Sequence, residues 1–196
     1  EKPLRDYGLR RESFTIKTGG PDPTAPVLTM ALNVRPAEHV LSLFFDDGGH
    51  GTDVAGIAAG HALNGAAGLD GIAPGAQVLG FKIGLCSKGS MSTTGAMRRA
   101  FEYGARVAKE RGLPLVFNLS YGIGSEIEGR ADIDRFLDGF LAEHEELVAC
   151  ISAGNEGPGL SSVGTPGAAR LVLTAGALLD RGTAKALFGS DPGRDL

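Results

Sequence analysis

Apolar positions along this chain fall into two spacings that alternate from one end to the other. Short runs of strand length stand at 27–34, 39–45, 76–84, 115–120, 147–151 and 171–177. Between them the period becomes that of a helix. Val54, Ile57 and Ala58 recur at i, i+3 and i+4, and Met97, Ala100, Phe101, Gly104 and Ala108 carry the same spacing over a longer segment. A third helix, about 131–147, puts Ile133, Phe136, Leu137, Phe140, Leu141 and Leu147 on one stripe. Asp132, Asp134, Arg135, Glu143 and Glu145 fall off that stripe, and its acids are expected on a solvated face. Each apolar stripe is expected to be buried, and Ser90 or Ser92 is placed to cap the second helix.

Strands alternating with amphipathic helices predict an α/β fold of three layers, α/β/α, around a mostly parallel sheet joined by right-handed crossovers. The runs 27–34 and 39–45 are separated only by Arg35, Pro36, Ala37 and Glu38, which predicts a hairpin. The run 76–84 reads as a buried strand. Residues 1–26 show no core pattern, and 18–26 are dense enough in Pro and Gly to read as a linker or extended loop. The stretch after Asp180 is polar, and no element is predicted there.

At 196 residues the chain is one domain of ordinary size or most of a larger one. The formal net charge of −4 leaves no basic footprint, which argues against nucleic acid or an anionic membrane surface as a partner. No apolar run is long enough for a membrane-spanning helix, and the first residues, Glu1 to Asp6, hold no apolar signal region; a leader removed from a longer chain stays open. Glycine supplies 31 residues, about twice the usual ~7 %, so many turns must be tight. Cys86 and Cys150 lie in apolar runs and read as free core thiols, since disulfide frameworks use more cysteines than two.

Two glycine-rich turns at predicted strand ends carry the candidate chemistry. In Gly48-Gly49-His50-Gly51-Thr52-Asp53-Val54-Ala55-Gly56 an imidazole stands where a strand gives way to a helix. That is the rim where an open α/β sheet keeps its active site. In Ser152-Ala153-Gly154-Asn155-Glu156-Gly157 another strand runs into glycines and offers a side-chain amide to the same rim. An N–H donor aimed at a developing oxyanion is a leading contribution to acyl-transfer catalysis, and histidine is the usual general base beside it. Asp46 and Asp47 share the His50 turn and are poor orienting acids, because a triad acid must reach the far ring nitrogen from a separate element.

His50-Gly51-Thr52 with Val54-Ala55-Gly56, then Asn118-Leu119-Ser120-Tyr121-Gly122, then Ser152 to Gly157, resemble in residue and in order the histidine, substrate-strand and oxyanion motifs of subtilisin-like serine peptidases. The runs Asp70-Gly71-Ile72-Ala73-Pro74-Gly75-Ala76-Gln77-Val78-Leu79 and Leu160-Ser161-Ser162-Val163-Gly164-Thr165-Pro166-Gly167 look most like tripeptidyl peptidase II and its relatives. The resemblance, covering about 40–177, implies a partial subtilisin-like domain over 40–196, with 1–39 a linker or the end of an insertion ahead of the histidine. It implies His50 and Asn155 as catalytic residues, Ser120, Tyr121, Gly122, Ser152, Ala153 and Gly154 as substrate-binding residues, and a peptide or protein as substrate. No metal or cofactor is expected. The loop 60–75 stands where such peptidases can hold calcium, yet it offers one carboxylate, Asp70, where calcium takes six to eight oxygens. The resemblance leaves a homo-oligomer open for the full-length protein and favours the cytoplasm, although the residues themselves name no compartment.

Two parts of a Ser-His-Asp triad are absent from the chain. No Asp is followed by Ser or Thr and then Gly, and each Gly-Thr is followed by Asp53, Pro166 or Ala184, never by Ser. The family's acid and nucleophile lie in those two turns, so both are expected outside residues 1–196, and the isolated chain is expected to be inactive. Asp53 stands where the family usually has a second histidine. Two other readings remain: a catalytically dead peptide-binding relative, and a dinucleotide-binding domain in which Gly49-His50-Gly51 is a phosphate loop. The second fits poorly because position 54 is Val and the third glycine comes two residues late, at Gly56.

Overall fold

The computed structural model describes residues 13–17, 27–45, 48–125, 127–157 and 159–189, and the chain divides into two compact units, Glu1–Ala100 and Phe101–Leu196. The expected linker at 18–26 and the acids Asp46 and Asp47 lie outside the described residues.

In the first unit three strands, β1 (Ser13–Lys17), β2 (Val27–Arg35) and β3 (Val40–Phe44), form an antiparallel sheet in that order. The expected hairpin is β2 and β3, closed at Arg35↔Val40 by a 3₁₀ turn, Pro36–Glu38. Pro36 sets the first turn residue's φ, and His39 leaves it in the left-handed region at φ 54°, its N–H donating to the Pro36 carbonyl at 3.1 Å. β1 was not expected from the sequence. Phe14 and Ile16 alternate with Ser13, Thr15 and Lys17 in a strand period, but only over five residues.

The run 76–84 is not the buried strand its composition suggests. Only β4 (Gly84–Leu85) is extended and paired, antiparallel to β5 (Met91–Ser92), and Val78 is 45 % exposed. An apolar run becomes a strand only when a neighbouring strand ladders to its backbone groups, and among the described residues no ladder includes 76–83. Helix α1 (His50–Ala59) forms where expected, yet Ile57 is 69 % exposed and no residue of the helix is buried. Its predicted apolar stripe is therefore uncovered among the described residues. The last turn of α1 is closed instead by a returning segment. Gly71, Ile72 and Ala73 donate their N–H groups to the carbonyls of Gly60, Ile57 and Ala58 at 2.8, 3.0 and 2.8 Å. These would otherwise be orphan carbonyls of a helix end. A Cβ at Gly71 would lie 2.6 Å from the Gly56 oxygen, so only glycine permits this approach.

Helix α2 (Thr94–Arg111) begins in this unit with Thr93, not Ser90 or Ser92, as its cap: the Thr93 hydroxyl accepts from the Ala96 N–H at 3.1 Å. Ser92 is engaged elsewhere, donating to the Ile83 carbonyl at 2.7 Å.

The second unit is built on a parallel sheet of β6 (Leu115–Leu119), β7 (Leu147–Ser152) and β8 (Leu173–Ala175). Its core is aromatic. Phe101 on α2 meets Phe117 of β6 at 4.4 Å between ring centres and Phe140 of α3 (Asp132–Glu143) at 5.9 Å. Gly104 lets α2 lie close to the sheet, since a Cβ there would meet the Phe117 ring at 2.6 Å. Ile133, Leu137, Phe140 and Leu141 bury the expected stripe of α3. The helix stops at Glu143, and Leu147, read as its last apolar residue, opens β7 after a turn in which its N–H donates to the His144 carbonyl at 3.0 Å. Asp134 also departs from the sequence reading, being fully buried rather than solvated.

The polar stretch after residue 180 contains a further helix, α4 (Arg181–Phe188). Asp180 caps it, accepting from the N–H groups of Gly182 and Thr183 at 2.8 and 3.0 Å, while Gly189 closes it at φ 67°. Among the described residues no helix is long and apolar enough to cross a membrane.

Candidate active site

His50 is the first residue of α1, and the chain reaches it through Gly49 at φ 72°, a conformation that glycine adopts without cost. Its N–H donates to the Gly48 carbonyl at 2.8 Å, and the Asp53 N–H donates to Gly49 at 3.0 Å, so the helix opens immediately behind the imidazole. The side chain is exposed. Asp53, in the first helical turn, places a negative charge at the positive end of the helix dipole. Cys86 packs against this turn, and a Cβ at Gly48 would overlap its sulfur. Neither cysteine is in a disulfide, and Cys86 is exposed rather than in a core, because its run turns into the 3₁₀ segment Cys86–Lys88 instead of continuing as a strand.

Asp70 is engaged locally. Its Oδ1 accepts from the Ala62 N–H at 2.7 Å and pairs with His61 Nδ1 at 3.1 Å, which ties together the loop that follows α1. Among the described residues no three His, Cys, Asp or Glu side chains are gathered in a way that could hold a metal ion.

The other candidates belong to the second unit, and there the fold brings them together. Parallel pairing sets Leu119 beside Ile151, so the segments Ser120–Tyr121–Gly122 and Ser152–Ala153–Gly154 leave the sheet at the same end. Ser152 Oγ donates to the Tyr121 carbonyl at 3.2 Å, and a Cβ on Gly122 would touch Gly154 Cα at 3.4 Å. Asn118 Nδ2 donates to Ser120 Oγ at 3.2 Å, fixing the first of these residues from the strand below. β6, like β8, is an outer strand of the sheet among the described residues, and an outer strand is the position from which a sheet can accept an added extended peptide.

Asn155 follows Gly154, whose φ of 94° and lack of Cβ turn the chain sharply; a Cβ would stand 2.5 Å from Glu156 Oε2. That same carboxylate oxygen accepts the Asn155 backbone N–H at 2.8 Å. The Asn155 side chain is exposed, and among the described residues no hydrogen bond engages its carboxamide. The turn thus presents an uncommitted N–H donor at the carboxyl end of a parallel sheet.

Three residues that hold this rim were not singled out from the sequence. Glu156 fixes the Asn155 backbone. Thr165 pairs with Ile123 through both backbone groups, at 3.1 and 2.9 Å, and its neighbour Gly164 donates to the Ala153 carbonyl at 2.8 Å. Asp134 receives the Thr165 hydroxyl at 2.5 Å within the core. The only hint was that Asp134 follows the apolar Ile133 and precedes Leu137 by three, at the margin of the stripe.

Compared with known proteins, residues 42–191 match the profile of the subtilase family, Peptidase_S8. Tripeptidyl-peptidase 2 of Caenorhabditis elegans is 34 % identical over 161 residues, 81 % of this chain and 11 % of that protein. The Arabidopsis thaliana protein of the same name is 36 % identical over 168 residues, 84 % of this chain and 11 % of that one. The crystal structure of tripeptidyl peptidase 2 superimposes with a TM-score of 0.61 at 29 % identity, covering 76 % of this chain and 12 % of the other. The chain therefore spans about 11 % of the length of these curated relatives.

Proposed function

Because the chain belongs to the subtilase family and has a partial subtilisin-like α/β fold, we propose that the full-length protein is a serine peptidase that takes from this chain the base of its Ser-His-Asp triad, His50, and, outside the triad, its oxyanion donor, Asn155. The observation that carries the reading is the exposed Asn155 carboxamide, held beyond β7 beside the two segments of the β6 and β7 ends.

In this mechanism an extended peptide lies along Ser120–Gly122 and Ser152–Gly154, pairing with their backbone groups as an added strand. Close approach is favoured by Gly122 and Gly154, which put no side chain between the two segments. The serine hydroxyl gives its proton to His50 as its oxygen attacks the scissile carbonyl. The carbonyl oxygen becomes an oxyanion, to which Asn155 Nδ2 donates. His50 then returns the proton to the leaving amine, and the acyl-enzyme is hydrolysed by water activated at the same imidazole. Splitting amide hydrolysis in this way replaces one high barrier with two lower ones. Residues 40–196 are then part of the catalytic domain and 1–39 the end of an insertion before it. With no Gly-Thr-Ser and no Asp-Ser/Thr-Gly turn among its 196 residues, the isolated chain holds neither the nucleophile nor the acid.

A fluorophosphonate probe, which labels only an activated serine, tests this. The full-length gene product is expected to be labelled, its His50→Ala variant to lose labelling, and the 196-residue chain to remain unlabelled. Undiminished labelling of His50→Ala, or none of the full-length protein, overturns the assignment; the latter result would favour a peptide-binding relative without catalysis.

A further inference from the structure

We propose that Asp134 and Thr165 are positioning residues for catalysis: a buried carboxylate on α3 fixes the Gly164–Thr165 pair, whose backbone groups bond to both rim segments. The proposal rests on the peptidase reading above and deepens it.

Asp134 is fully buried and Thr165 is 8 % exposed, so the hydrogen bond between them is shielded from water. Each carboxylate oxygen has its own donor. Oδ1 takes the Thr165 hydroxyl at 2.5 Å, and Oδ2 takes the Ala131 N–H, at the start of α3, at 3.2 Å. A buried carboxylate without donors is strongly unfavourable, and bonds to a charged acceptor are about twice as strong as neutral ones. The pair therefore holds Thr165 at a fixed distance from the helix.

What Thr165 holds in turn is the rim. On one side it exchanges two backbone hydrogen bonds with Ile123, the residue after Gly122. On the other, Gly164 donates to Ala153, two residues before Asn155. There is no slack between these layers. A Cβ at Gly164 would lie 2.9 Å from the Ile123 oxygen, and one at Gly167 would overlap the Ser152 carbonyl. A shift of Thr165 is passed to the Asn155 turn and to the substrate-pairing segment together. Neither Asp134 nor Thr165 touches substrate in this account.

The test is a double-mutant cycle in the full-length protein, with turnover of a short peptide amide as readout. Thr165→Val keeps the shape and removes the hydroxyl, and it is expected to lower kcat by about 10- to 100-fold, the scale of a misplaced catalytic group. Thr165→Ser, which restores the donor, is expected to recover kcat to within about threefold of wild type. In an Asn155→Ala background Thr165→Val is expected to cost several-fold less than in the wild type, because the share of its effect that runs through the Asn155 donor is already lost. If Thr165→Val fails to fold, Thr165→Ala, which also removes the hydroxyl, carries the same cycle. Losses that multiply while Asn155→Ala alone is impaired overturn this proposal and leave the peptidase reading standing. Unchanged kcat in the Thr165→Val or Thr165→Ala variant does so too. Unimpaired turnover in Asn155→Ala overturns both.

Discussion

Ser152 Oγ donates to the Tyr121 carbonyl across 3.2 Å, joining the ends of two strands that lie 31 residues apart in the chain. The bond forms where parallel pairing has already stopped, so it extends the register of β6 and β7 by a side chain once the backbone no longer can. Replacing Ser152 with Ala is expected to lower stability by about 1 kcal/mol, the net worth of one such bond. It should also raise KM for a peptide substrate of the full-length protein. Urea unfolding and steady-state kinetics check the two effects, and a variant unchanged in both would show that the bond holds nothing.

The last turn of α1 is closed by the returning segment Gly71–Ala73. Gly71→Ala would drive a methyl group to 2.6 Å from the Gly56 oxygen and 2.7 Å from the Gly60 nitrogen, both backbone atoms that cannot rotate away. The expected cost is about 1–3 kcal/mol, as for other overpacked sites. Thermal unfolding measures it, and Gly75→Ala is the control, since a Cβ at Gly75 meets nothing within 4 Å.

The core of the second unit should be intolerant of truncation. Leu137 is fully buried on α3, so Leu137→Ala is expected to destabilise by about 2–5 kcal/mol through lost burial and a residual cavity. An unfolding midpoint close to wild type would contradict the packing described.

Asp180 gives α4 an acid-sensitive cap. The Thr183 hydroxyl, then the Thr183 and Gly182 amides, hold its carboxyl below the ordinary aspartate range. A depressed pKa means that the cap's contribution is present in full above the unfolded-state value and is lost as pH falls through the folded-state value. Acidification should therefore release the amides of Gly182 and Thr183 only at pH below that ordinary range. In Asp180→Asn, which still accepts but cannot titrate, the step should vanish. Amide chemical shifts followed against pH check both, and a midpoint at or above the ordinary aspartate value would contradict the capping geometry.

The helices α2 and α3 and the strands β6 and β7 are legible in the sequence, because the structure buries apolar residues on the stripe that their period defines; β8 follows its run in sequence but is exposed along its length, Leu173 to 62 %. The adjacency of Ser120–Gly122 and Ser152–Gly154 is legible for the same reason, since two neighbouring parallel strands must end at one rim. Other features depend on partners that periodicity does not specify. Residues 76–83 form an apolar run but join no strand ladder among the described residues, and β1 is too short for its alternation to stand out beside Pro and Gly. Among its described side chains α4 carries one fully buried residue, Ala184, and its clearest sign is the cap at Asp180. Asp134 reads as a surface acid because its helix says nothing of the Thr165 hydroxyl 31 residues away.

The account turns on the exposed carboxamide of Asn155 acting as a donor to charge that develops during reaction. The most direct measurement is kcat for a short peptide amide in the full-length protein with Asn155→Ala. A fall of about 10²–10³ with KM little changed is predicted, as for removal of one oxyanion donor. A loss of less than about tenfold, far below that range, or one that resides in KM alone, would contradict it.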